Sequence, residues 1–286
     1  MKVLIIALGP QLLGALEAQF VVRSRAFKSV GLEWLQSSSL TIPSDIDIVV
    51  NTVTFECLQG GHGDGCEALT LLAQACEQSS TPLIQLSSSR VFDGTSGRHK
   101  ETDVAAPGSA LGEALFNAEE LLRASCNRHI ILRTGPLFSS MGDNLLTDLI
   151  AKFKGGESLR LSNKGKSCPM HAKDLARVIS AIIDQLSCGC EAWGTYHYSS
   201  TEPISSFQFA ETVLAVASQY IGSDKDDMAL ELVDGDGGDW ACPLLNCEKI
   251  LNTFGIQQLS WRSFIVPAVQ EIFAQEKTTK ELGRGE

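Results

Sequence analysis

The chain has 286 residues, 44% of them hydrophobic and 20% charged, which is the composition of a globular protein with a sizeable buried core. Its 34 acidic and 23 basic residues give a formal net charge of −11, and no Lys/Arg cluster interrupts that excess, which argues against a nucleic-acid partner. No apolar run approaches the roughly 20 residues needed to span a bilayer, so no membrane association and a cytoplasmic protein are expected.

In chain order, Val3 to Ala7 is a short apolar run without polar alternation, as in a strand buried on both faces. Leu12 to Gln19 reads as a short helix behind it, and Phe20 to Ser24 as a second strand. Ile46 to Thr52 is the third strong apolar run. The Gly-rich GGHGDG, residues 60 to 65, then leads into a helix over 66 to 78. Pro82 to Ser87 supplies the next strand, and Pro107 with Ser109 opens a helix running to Ala124. Strands at 129 to 134 and 194 to 200 complete the alternation, which predicts a doubly wound parallel sheet of Rossmann-like α/β type. Residues 1–134 and about 172–200 form the expected dinucleotide-type domain. A smaller lobe is expected from about 135–171 and 201–275, with helices over 144 to 153 and 206 to 217 and a polar tail over 276–286.

The first strand-to-helix turn, ALGPQLLG, keeps Gly9 and Gly14 of a dinucleotide fingerprint but carries Pro10, which removes one N–H that a phosphate would use. A cofactor turn and a plain strand-to-helix turn both fit. Arg23 and Arg25 follow the expected second strand, where an NADP-binding protein often places Arg, although two solvated arginines read equally well. The Gly-Lys-Ser of residues 165 to 167 is a decoy: Arg160 stands where a phosphate-binding loop needs its first glycine, and Pro169 interrupts the helix that should follow. Nine scattered cysteines without a C-x-x-C pair, and five histidines without ligand spacing, predict no metal site.

Five stretches in one order carry a resemblance: LSSSRVFDGTSG (86–97), ILRTGPLF (131–138), CPMHAKDLA (168–176), GTYHYSS (194–200) and LNTFGIQQLSWR (251–262). The chain resembles the dTDP-4-dehydrorhamnose reductase family of extended short-chain dehydrogenases from Met1 to about Gln270. The resemblance implies a Rossmann domain with a small sugar-nucleotide lobe. It also implies NADP(H) as cofactor, contacts to it from Gly9, Gln11, Leu12, Arg23, Arg25, Thr52 and Val53, and substrate contacts from Ser88, Ser89, Pro136 and Asn144.

Ser88 falls where the family's carbonyl-steadying hydroxyl stands, whereas Ser89 and Arg90 replace its aspartate and aromatic. The family's Tyr-x-x-x-Lys falls on PGSALGEALFNAE, at Leu111 and Leu115. A carbonyl reduction needs those two types one helical turn apart, because the alkoxide formed by hydride arrival must be protonated at once. The only tyrosines are Tyr196, Tyr198 and Tyr220, and none has Lys four residues on. Glu113 is the nearest ionisable substitute on that helix, and Gly65 stands near the family's asparagine.

No catalytic residue is therefore assigned, and two readings stand. One is a catalytically silent member that binds a sugar nucleotide or dinucleotide, or that serves as a regulatory subunit like the family's methionine adenosyltransferase partner. The other is an NADPH-dependent reductase of a nucleotide-linked 4-keto sugar, with an unorthodox donor such as Ser88. The partner is then a nucleotide-sugar-like small molecule or a protein, with a homodimer left open. Leu111 and Leu115 themselves read either as core or as remnants of a site.

Overall fold

The computed structural model describes residues 1–35, 40–53, 65–94, 97–221, 230–235 and 238–282. Residues 60–64 of the Gly-rich stretch and 236–237 of GDGGDW lie outside them. The chain divides into two units, Met1–Gly135 with Lys173–Ser199 and Pro243–Gln258, and Pro136–Ala172 with Ser200–Cys242 and Leu259–Glu286. The return of 243–258 to the first unit is beyond what strand and helix periodicity in that segment signals.

Unit 1 is built on six parallel strands: β1 (Val3–Ile6), β2 (Phe27–Val30), β3 (Ile48–Asn51), β4 (Leu83–Ser88), β5 (His129–Thr134) and β6 (Gly194–Tyr198), in the spatial order β2-β1-β3-β4-β5-β6. Every residue of β1, β3 and β4 is buried, which is why these strands read as unbroken apolar runs. Between the strands run α1 (Pro10–Val22), α2 (Leu32–Leu35), α3 (Gly65–Gln78), α4 (Ala110–Ser125) and, starting at the end of unit 2, α5 (Ala172–Ser187). One side of the core packs Leu69, Leu72 and Cys76 of α3 and Ala118 and Leu122 of α4 against Val49, Leu83 and Ile131.

The second strand departs from expectation. Residues 20 to 22 continue α1, because Leu12, Leu16 and Phe20 repeat every fourth residue and are buried, while Val21 and Val22 are 67% and 79% exposed. The β-branched pair imitates a strand locally, but burial of the i, i+4, i+8 stripe decides for helix. Ser24, at a φ of 51°, ends the turn, and the true β2 begins at Phe27.

Unit 2 contains α6 (Leu145–Gly155), α7 (Ser206–Ala217) and α8 (Arg262–Leu282) around a core of Phe138, Phe153, Phe209, Trp261 and Ile265, with Leu159–Ser162 paired in parallel to Leu230–Val233. Asn144 caps α6, its Oδ1 accepting from the Leu146 N–H at 3.1 Å, and Gly156 closes it with a φ of 73°. The polar segment expected as a tail from 276 is helical through Leu282. Among the described residues no helix is long and apolar enough to cross a membrane.

Candidate functional site

In an open parallel sheet a ligand binds beyond the carboxyl ends of the strands, where strand order reverses. In unit 1 that reversal falls between β1 and β3, so the residues that follow these strands are Ala7 to Pro10 and Thr52 with Val53. Gly9 is the N-cap of α1, with no side-chain cap, with Pro10 in the first turn and with no acidic residue there. Among the described residues an added Cβ on Gly9 would meet nothing within 4 Å, and Gly9 stands at the positive end of a 13-residue helix. The Gln11 Nε2 is buried and has no hydrogen-bond partner among the described residues.

The other predicted contacts divide. Leu12 is 2% exposed and belongs to the core. Thr52 is tied to β1, its N–H and Oγ1 both donating to the Ile6 carbonyl at 2.9 and 3.2 Å. The Val53 N–H donates to Asn51 Oδ1, and Asn51 Nδ2 in turn donates to Gln85 Oε1 at 2.8 Å, a buried amide ladder joining β3 to β4. Arg23 and Arg25 do not follow β2; they precede it, at the carboxyl end of α1 and the opposite end of the sheet. There both pair with Asp184, and the Arg25 side chain is 8% exposed. What does follow β2 is Gly31 and then Glu33, whose Oε1 accepts the Gly31 N–H at 3.2 Å. Placing the strand at Phe20 rather than Phe27 hid that carboxylate from sequence reasoning.

The carboxyl end of β4 carries Ser87, Ser88 and Ser89, all buried. Ser88 Oγ accepts from the Arg90 N–H at 3.3 Å and opens the 3-10 turn Ser89–Val91, while Ser89 Oγ has no partner among the described residues. The start of α4 lies against this turn: a Cβ on Gly112 would sit 2.2 Å from the Arg90 carbonyl oxygen. On α4, Leu111 is half-buried and Leu115 is 1% exposed. One turn further Glu119, also 1% exposed, receives Arg133 in a two-pronged pair (Nε at 2.9 Å, Nη2 at 2.6 Å), Ser87 Oγ at 2.6 Å and Arg123 Nη2 at 2.8 Å. This cluster pins α4 to β4 and β5, and periodicity alone did not single it out.

Beside it the His197 Nδ1 donates to the His99 carbonyl at 3.1 Å; burial, with the Arg133 guanidinium nearby, pushes the imidazole down to about 3. Burial raises the Glu101 carboxyl above its ordinary value, against the lowering effect of the His197 N–H that it accepts. None of the three phenols lies on α4. Tyr196 donates to the Ala192 carbonyl and Tyr198 to Asp174 Oδ2, and Tyr220 stacks on Phe273.

Pro136 and Asn144 belong to unit 2. The Pro136 carbonyl accepts the Met170 N–H at 2.8 Å, and the Asn144 amide donates to the Met141 and Gly142 carbonyls, which fixes the turn before α6. Unit 2 holds a cavity of about 420 Å³, floored by Leu145, Leu149, Leu159, Leu161, Val233 and Trp240, with the Asp148–Lys152 pair among its polar lining. Sequence reasoning passed over it, since its walls come from segments up to 95 residues apart. Among the described residues no group of three or more His, Cys, Asp or Glu is placed to hold a metal.

The order of the sheet and the uncapped helix at its reversal place the chain in the Rossmann class of α/β proteins. Within that class it belongs to the family described as the RmlD substrate binding domain, whose model matches residues 65–274. A dTDP-4-dehydrorhamnose reductase of Sinorhizobium fredii is 24% identical over 232 residues, 75% of this chain and 77% of that one. Methionine adenosyltransferase 2 subunit beta of Xenopus laevis is 26% identical over 180 residues, 62% of this chain and 53% of that one. A dTDP-4-dehydrorhamnose reductase from Bacillus anthracis, solved in complex with NADP, superposes with a TM-score of 0.77 at 19% identity, covering 94% of this chain and 99% of that one.

Unit 1 fits such a dinucleotide unevenly. Gly9 without a side chain, an α1 start without a side-chain cap and a Gln11 amide with no partner among the described residues suit a pyrophosphate. At the end of β2 the side chain beside Gly31 is the Glu33 carboxylate rather than a cation, and on α4 Leu115 is enclosed hydrocarbon.

Proposed function

We propose that this chain is a catalytically silent member of its family. In this reading unit 1 binds a dinucleotide, the cavity of unit 2 takes the ring of a nucleotide-sugar-like ligand, and the protein acts as a binding or regulatory subunit. The observation that carries the reading is Leu115: a residue 1% exposed on α4 occupies the position the resemblance gives to the lysine, and no Tyr-x-x-x-Lys occurs elsewhere in the sequence. Without a phenol on this helix, proton delivery to an alkoxide lacks the donor that the family's chemistry uses. Similarity to the methionine adenosyltransferase subunit supports the regulatory side of the reading. NADP(H) is the cofactor implied by the family, as in the complex of the Bacillus anthracis relative.

The competing reading, a reductase using Ser88, predicts a different outcome in one assay. Oxidation of NADPH and of NADH is followed with dTDP-4-dehydrorhamnose as acceptor, alongside thermal shifts with each nucleotide and with dTDP. Silence predicts ligand-dependent shifts without turnover. A rate on the order of 1 s⁻¹ or more, ordinary for an enzyme, overturns it.

A further inference from the structure

We propose that the dinucleotide crevice of unit 1 selects NAD(H) over NADP(H), with Glu33 as the specificity-determining residue. This rests on the reading that unit 1 binds a dinucleotide, and it goes against the NADP(H) that the resemblance implies.

Three observations carry it. The arginines that resembled a 2′-phosphate site are at the wrong end of the sheet: Arg23 and Arg25 precede β2 and are engaged by Asp184. At the carboxyl end of β2, where the adenosine ribose of a bound dinucleotide lies in this fold, the chain presents Gly31 and the exposed carboxylate of Glu33. The carboxylate folds back so closely that a Cβ on residue 31 would lie 2.3 and 2.8 Å from its two oxygens, so the absence of a side chain at Gly31 is what lets it reach over the strand end. Finally, no lysine or arginine occurs in the sequence between Lys28 and Arg90. That span supplies the end of β2, all of α2, all of β3 and the residues after it, so none of these segments brings a cation to a phosphate at this corner.

The chemistry follows from charge. A ribose 2′-hydroxyl donates a hydrogen bond to a carboxylate, whereas a 2′-phosphate brings up to two negative charges against it and finds no compensating cation. Like charges brought together without a compensating cation are one means of rejecting the wrong ligand.

Binding of NADH and of NADPH to the full chain is measured by nicotinamide fluorescence and calorimetry, which need no turnover. NADH is expected to bind on the order of tenfold or more tightly than NADPH, the effect of about 1.4 kcal/mol of differential affinity. Glu33→Ala is expected to bring the two affinities together by weakening NADH, and Glu33→Arg to reverse the preference; circular dichroism of each variant checks its fold. Equal or tighter binding of NADPH by the native chain overturns the proposal while leaving the dinucleotide reading intact, and so does an unchanged ratio in Glu33→Ala. Binding of neither nucleotide overturns both, and is thereby told apart from a failure of selectivity alone.

Discussion

Leu115→Lys tests the proposed reading, in which position 115 is enclosed by hydrocarbon and offers no place for a charged side chain. Leu115 is 1% exposed, so Leu115→Lys removes a buried isobutyl group and places an ammonium where water does not reach. Loss of buried leucine packing costs about 2–5 kcal/mol, of which the lysine stem recovers part. The ammonium adds a desolvation penalty of its own unless it is neutralised. Glu119, one turn on, offers little relief, because its oxygens already accept from Arg133, Arg123 and Ser87. The net expectation is a loss of roughly 3 kcal/mol or more, read as a lowered urea midpoint by circular dichroism. Leu111→Tyr, at a half-buried position, is expected to cost less than about 1 kcal/mol. If Leu115→Lys costs less than about 1 kcal/mol, position 115 opens onto solvent and the account of a filled site is refuted.

Glu119→Ala leaves the Arg133 guanidinium, 3% exposed, without its carboxylate and is expected to cost about 3–5 kcal/mol, whereas Asp148→Ala, which breaks an exposed pair with Lys152, costs less than about 1 kcal/mol; urea denaturation of both variants checks the contrast. Gly112→Ala drives a methyl against the Arg90 carbonyl and is expected to cost about 1–3 kcal/mol, while Gly9→Ala, with open space and a φ of −114°, leaves stability within about 0.5 kcal/mol but weakens dinucleotide binding measured by fluorescence titration. His197 is held neutral with its pKa lowered to about 3, so between there and the ordinary 6.5 the unfolded chain binds more protons and stability falls as pH falls. The slope contributed by His197 is at most about 1.4 kcal/mol per pH unit, and His197→Gln flattens it when urea midpoints are compared from pH 6.5 to about 5. Glu101 titrates in the opposite sense, since its raised carboxyl pKa makes the folded chain the better proton binder just above 4.5.

How much was legible varied with how local the signal is. The buried strands β1, β3 and β4 were readable because a sheet covered on both faces needs consecutive apolar residues, and the start of α4 at Ser109 because a helix start needs a side-chain acceptor within its first turn. The second strand was misread because Val21 and Val22 favour strands locally, while the stripe of Leu12, Leu16 and Phe20 requires a core to bury against before helix wins. That single shift moved Arg23 and Arg25 to the far end of the sheet and brought Glu33 to the end that matters.

The sequence by itself determined the alternation of strands and helices, the absence of any Tyr-x-x-x-Lys and the run of 61 residues, 29 to 89, without a basic side chain, since each is a property of order along the chain. Only the tertiary structure decided that Leu115 is enclosed, that Glu119 is clamped by Arg133 and Ser87, and that a 420 Å³ cavity lies between α6 and a strand pair more than 65 residues apart. Burial and pairing depend on which distant residues a folded chain brings into contact, and no local period encodes that.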